Sequence, residues 1–131
     1  MNVQYTKENF KKLLQILNAK TTENRVLAAE DLCWFVENYH DNLDFNFLVK
    51  SIDELIEILT TEQNNEVGFK IGETIFEFIW LEKLDANAEK KVIEKLANLK
   101  TQWIFPSYLD QEEYLHLPGV KEYINKYRTS S

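Results

Sequence analysis

The sequence predicts an all-α fold, an irregular stack of about three antiparallel helix pairs, and three observations carry that prediction. Only three glycines and two prolines interrupt 131 residues, so residues that break helices are scarce. Apolar residues recur at three- and four-residue steps through most of the chain. The starts that this spacing marks fall near 7, 46 and 88 for leading helices and near 23 and 66 for trailing ones, a period of roughly 40 residues. A compact, non-repeating helical bundle is the alternative. At this length the chain forms one domain, 1–131, able to bury about two-thirds of its unfolded surface without cross-links.

Each element has its own signal. Thr6 is a candidate N-cap for a helix over 7–19, with Phe10, Leu13, Leu14 and Leu17 on one face. Thr22 is a candidate cap for 23–39, where Val26, Ala29, Cys33 and Val36 make a stripe that Leu32 and Phe35 widen. The turn formers of 40–44 end it. The third helix, 46–61, turns Leu48, Ile52, Leu55, Ile56 and Leu59 inward and Asp53, Glu54 and Glu57 outward. Asn64 and Asn65 lead into a fourth, 66–83, which is apolar nearly all round and is therefore expected at the centre. Asp85 or Asn87 caps a fifth, 88–100, built on Val92, Ile93, Leu96 and Leu99. An aromatic stretch around Trp103 and Pro106 reads as a loop, with one helical turn expected over 108–115. Pro118 suits the first position of a last helix, 119–128, carrying Val120, Tyr123, Ile124 and Tyr127.

Twenty-two acids against fifteen bases give a net charge of −7, which argues against direct nucleic-acid binding, since phosphates call for a basic surface. The charge is unevenly placed. Residues 21–85 hold fifteen acids but only Arg25, Lys50, Lys70 and Lys83, a net of −11, while seven acids and eleven bases elsewhere give +4. The single Cys33 excludes a disulfide framework within the chain. With no signal-like start and no membrane-length apolar run, the expectation is a soluble, cytoplasmic protein, a monomer unless the apolar 103–109 segment is exposed.

No catalytic motif stands out, and the expectation is a protein that is not an enzyme. Glu37-Asn-Tyr-His40 and Glu113-Tyr-Leu-His116 are Glu-x-x-His steps of the kind that helical bundles use for paired metals, and Glu73 or Glu77 offers a further carboxylate. Yet each histidine sits where a helix ends or a proline intrudes, so no metal and no cofactor is expected. Cys33 among Leu32, Trp34 and Phe35 reads as a buried hydrophobe.

A binding surface is the better reading, because acids and aromatics coincide on the trailing helices. Glu30, Asp31, Trp34, Glu37 and Asn38 in one, with Glu66, Glu73, Glu77 and Trp80 in the next, would line an acidic groove, extended at the loop end by Tyr39, Asp41 and Asp44. The competing reading places Trp34 and Trp80 in the core and leaves the acids as a solvated face.

The helix-pair texture, with Asn24-Arg-Val-Leu-Ala-Ala-Glu-Asp-Leu32, Asn65-Glu-Val-Gly-Phe-Lys-Ile71 and the closing Leu117-Pro-Gly-Val-Lys-Glu-Tyr123, resembles HEAT-like immunity proteins of bacterial polymorphic-toxin and contact-dependent growth inhibition systems. The resemblance implies a specific inhibitor that binds the C-terminal toxin domain of a cognate effector, often a basic nuclease. An acidic patch would speed association with such a partner. The alternative is a small HEAT-like adaptor for another cytosolic protein.

Overall fold

The computed structural model describes residues 5–18, 22–99, 109 and 112–128. Among them are six helices: α1 (Lys7–Leu17), α2 (Thr22–Tyr39), α3 (Phe45–Thr61), α4 (Asn65–Trp80), α5 (Ala86–Ala97) and α6 (Val120–Arg128), with a short 3₁₀ turn at His40–Asn42 after α2. No strand occurs among the described residues, and none of their helices is long and apolar enough to cross a membrane.

Side-chain caps start four of the helices. Thr6, Asp44, Asn64 and Asp85 each accept a hydrogen bond from the backbone N–H three residues on, in α1, α3, α4 and α5 respectively, satisfying one of the donors that a helix N-terminus leaves open. Two expected starts differ. Thr22 is the first residue of α2 itself. Pro118 lies before α6, because Gly119 adopts φ +83° and its carbonyl accepts from Tyr123 N at 2.9 Å. An L side chain at 119 would be strained by that φ and would also bring its Cβ within 2.9 Å of Asn98 Oδ1.

The fourth helix ends at Trp80 rather than 83. Glu82 there has φ +56°, its N–H donates to Ile79 O at 3.0 Å, and Lys83 N–H donates to Phe78 O at 3.2 Å. That pair of bonds is a Schellman closure, in which the left-handed residue is normally glycine. Glutamate here carries the cost of its Cβ.

Helices pair in sequence order, α1 with α2, α3 with α4 and α5 with α6, and the pairs stack through α1 against α3, α3 against α5, and α2 against α4. Cross-links between neighbouring units have nearly constant separations: Lys7–Asp44 at 37 residues, Cys33–Glu73 at 40 and Asp53–Lys95 at 42. Equivalent helices therefore run in parallel with a register of about one 40-residue unit, the period visible in the sequence. One hydrophobic cluster runs through all six helices, from Phe10 and Leu14 through Phe35, Ile52, Ile75 and Ile93 to Val120 and Ile124. At its first junction Phe10 meets Phe35 and Phe47 edge to face, with ring centroids 5.1 and 5.6 Å apart, the geometry that aromatic quadrupoles favour.

One ion pair is buried at the junction of the first two units. The Arg25 guanidinium engages both carboxylate oxygens of Glu62, and its Nε donates to Leu17 O at 2.7 Å. Glu62 in turn accepts from Asn64 N at 3.1 Å. Side-chain exposures of 16 % for Arg25 and 3 % for Glu62 make this the least solvated charge pair among those described.

The apolar perimeter expected of α4 is only partly buried. Val67, Ile71, Ile75, Phe76 and Phe78 are in the core, whereas Phe69 and Trp80 are exposed. In the 101–117 region Leu109 is fully buried, and Tyr114 donates its hydroxyl to Glu89 of α5. Trp103 and most of the expected 103–109 dimer segment lie outside the described residues.

Two stability predictions follow from these contacts. Arg25→Ala or Glu62→Ala strands a buried charge and is expected to cost about 3 kcal/mol in urea unfolding. Glu82→Gly relieves the left-handed strain and is expected to add about 0.5–1 kcal/mol, read in the same assay.

Candidate functional site

The trailing helices carry matched outer stripes. On α2, Leu27, Glu30, Asp31, Trp34, Glu37 and Asn38 recur at helical spacing and are all exposed; on α4, Glu66, Phe69, Lys70, Glu73, Glu77 and Trp80 do the same with at least partial exposure. The parallel register sets these stripes side by side. Trp34 is 53 % exposed and Trp80 72 %, so both indoles belong to the surface and not to the core. Of the seven large exposed hydrophobic residues among those described, Leu27, Trp34, Tyr39, Phe69 and Trp80 lie on α2 or α4. This concentration separates the face from ordinary scattered surface hydrophobics.

Trp34 is held in place. Its Nε1–H donates to the Tyr5 hydroxyl at 3.1 Å, and Tyr5 stacks on Tyr39 with centroids 3.9 Å apart and planes 6° off parallel. Asn42 Nδ2 anchors the same segment by donating to Tyr5 O at 2.7 Å. Tyr5 was not legible as a participant, because its role depends on a strap across α2 from a residue 29 positions away.

Where α2 meets α4, charge is crowded. The Cys33 thiol lies 3.2 Å from Glu37 Oε1 and 3.2 Å from Glu73 Oε2. Burial, followed by these two carboxylates, pushes it up to about 12, so the group is a thiol and not a thiolate nucleophile at neutral pH. Lys70 donates to Glu73 at 3.1 Å, a bond that raises the lysine above its ordinary value. Glu77 is raised by burial and then by the charges of Glu37 and Glu73, against a smaller opposing effect of His40. Asp31 is raised by burial and by Glu30. Two of the face's carboxylates are thus held where ionisation is disfavoured.

Among the described residues, Cys33, Glu37 and Glu73 form the one group whose possible metal-ligating atoms all lie within 4.8 Å of one another. It shares Glu37 and Glu73 with the carboxylates weighed beside the two Glu-x-x-His steps but includes neither histidine. His40 Nδ1–H donates to Val36 O, 3.0 Å away, from the 3₁₀ turn, and Glu113 and His116 lie exposed in the turns before α6. The ammonium of Lys70 already supplies a positive charge to the group.

The loop-end acids do not share this situation. Asp41 is ion-paired with Lys83, which holds its carboxyl below the usual range. Asp44 caps α3, is ion-paired with Lys7 at 3.2 Å, and lines a groove of about 380 Å³ between α1 and α3 that also contains Lys11 and Lys50. Its carboxyl is lowered, first by the Phe47 N–H and then by Lys7. Asp44 therefore belongs to the leading-helix layer, away from the acidic face, and Asp41 reaches the face with its charge already compensated. Glu30, Asp31, Trp34, Glu37, Glu73, Glu77 and Trp80 are brought together on adjoining helices.

No family model, curated protein or solved structure matches this chain.

The raised carboxyls have a definite sign for stability. Glu77 binds its proton more tightly folded than unfolded, so its contribution falls as pH rises through its folded value and is restored below the unfolded one. Glu77→Gln is therefore expected to raise the thermal midpoint at pH 7, with the gain disappearing near pH 4 and below, where the unfolded carboxyl is also protonated. Paired melts at the two pH values check this.

Proposed function

We propose that this chain is an immunity protein that neutralises a basic toxin domain by binding it through the α2/α4 face. The observation that supports this reading is the coincidence of exposed indoles with the acidic stripe on two adjoining helices. A solubilising face needs acids but no exposed tryptophans. An interface needs both, since aromatic anchors give most of the affinity while charges set the encounter rate. Burying the exposed part of Trp34 and Trp80 offers about 2–4 kcal/mol each before association costs, at about 25 cal/mol per Å² and about 200 Å² per indole.

The charge layout supports the same partner chemistry. A net of −11 over 21–85 attracts a cationic protein at a distance and can speed encounter by about 10- to 1000-fold at low salt. Inhibition would need no chemistry from this chain, because covering the toxin's working surface suffices.

Calorimetric titration against the protein encoded immediately upstream is expected to give a one-to-one complex, and absence of binding would overturn the reading. Changing Glu30, Glu37, Glu73 and Glu77 to lysine is expected to slow association by at least about 10-fold at low salt while the circular dichroism spectrum stays helical. An unaltered on-rate in stopped-flow mixing would move the interface elsewhere.

A further inference from the structure

The α2/α4 face is not uniform. Beside the N-terminal half of α4 it opens into a cleft of about 320 Å³ lined by Glu30, Asn65, Glu66, Phe69, Lys70 and Glu73. Three carboxylates and one ammonium leave it two negative charges in excess. The ammonium is engaged, since Lys70 donates to Glu73 at 3.1 Å, so the excess resides on Glu30 and Glu66. Phe69 adds an aromatic wall and is 40 % exposed.

We infer that this cleft seats an arginine side chain of the protein partner, with the guanidinium between Glu30 and Glu66 and against the Phe69 ring. The inference rests on the proposed binding role of the face and names the group that this part of it reads. Three features select the occupant. The charge excess calls for a cation. Glu30 and Glu66 belong to no group of three or more ligand atoms within 4.8 Å of one another, so the cleft lacks the compact ligand set that a small metal ion takes, whereas a guanidinium presents donors along separate edges of an extended plane. The aromatic wall favours a flat, weakly hydrated cation over a compact ammonium, because arginine stacks on rings while keeping its edge donors free.

Peptides of equal charge separate this from general acidity. With the full chain, hexa-arginine is expected to bind about 5-fold more tightly than hexa-lysine, read by tryptophan fluorescence and by amide shifts at 65–73. The double variant Glu30→Gln/Glu66→Gln is expected to abolish that preference while keeping the circular dichroism spectrum. Phe69→Leu, which removes the ring but keeps apolar bulk, is expected to reduce it. Equal affinity for the two peptides, or a preference that survives the double variant, would overturn the inference. The outcomes are separable: an arginine preference without binding to the upstream-encoded protein overturns the immunity reading alone. Binding to that protein that the double variant leaves unchanged, with no arginine preference, overturns the cleft assignment alone.

Discussion

The bidentate contact between Arg25 and Glu62 fixes how the first helix pair meets the second. Arg25 stands near the start of α2, reaches back to the last carbonyl of α1 at Leu17, and reaches across to the residue that closes α3. Glu62 uses the same carboxylate to hold Asn64 N–H, placing the cap of α4. Four helix ends thus converge on one ion pair. Hydrophobic burial favours contact between the pairs without choosing a register, because apolar stripes can slide by a turn at modest cost. A buried pair with directional hydrogen bonds cannot slide, and registry is the best-attested use of such pairs.

The register set there determines what lies on the outer face. With α2 and α4 parallel and offset by about 40 residues, Cys33 meets Glu73, and Glu77 feels the charges of Glu37 and Glu73. A displacement by one turn would separate these groups and spread the acids over the surface. The same stacking puts Lys95 on Asp53 and Lys7 on Asp44 in the leading layer. Those two pairs join neighbouring units of the leading layer, while the outer stripes of α2 and α4 leave most of their carboxylates exposed with one bonded lysine, Lys70.

Much of this was legible in the sequence. Periodicity gave all six helices within about three residues at each end, and the 40-residue spacing of helix starts reappears as physical contacts. Caps at Thr6, Asn64 and Asp85 were readable because capping is local chemistry. The displaced ends have non-local or stereochemical causes: α4 stops at a left-handed Glu82, a residue type that gives no stop signal, and α6 starts after the left-handed Gly119 rather than at Pro118. The acids and indoles of α2 and α4 could be assigned to one stripe each, but whether the stripes faced solvent depended on inter-helix register, which amphipathic patterning cannot supply. For the same reason the roles of Tyr5, Glu62 and Cys33 were hidden, since each is defined by partners 29 to 40 residues away.

The acidic face is difficult to explain as a device for stability. Asp31 and Glu77 are both raised by burial and by neighbouring like charge, so ionising them at neutral pH opposes folding. Solubility alone would be served as well by carboxylates spaced apart on any surface, without like-charge crowding. Exposed indoles add to the cost, because Trp34 and Trp80 leave apolar area in water that burial would favourably remove. Local conflicts of this kind, set in an otherwise consistent fold, are where sequence is selected for something other than folding. A cationic, ring-seeking partner would relieve both conflicts at once, lowering the carboxyl pKa values and covering the indoles. The binding free energy of such a complex would therefore include the relief of strain that the free protein carries in its α2/α4 face.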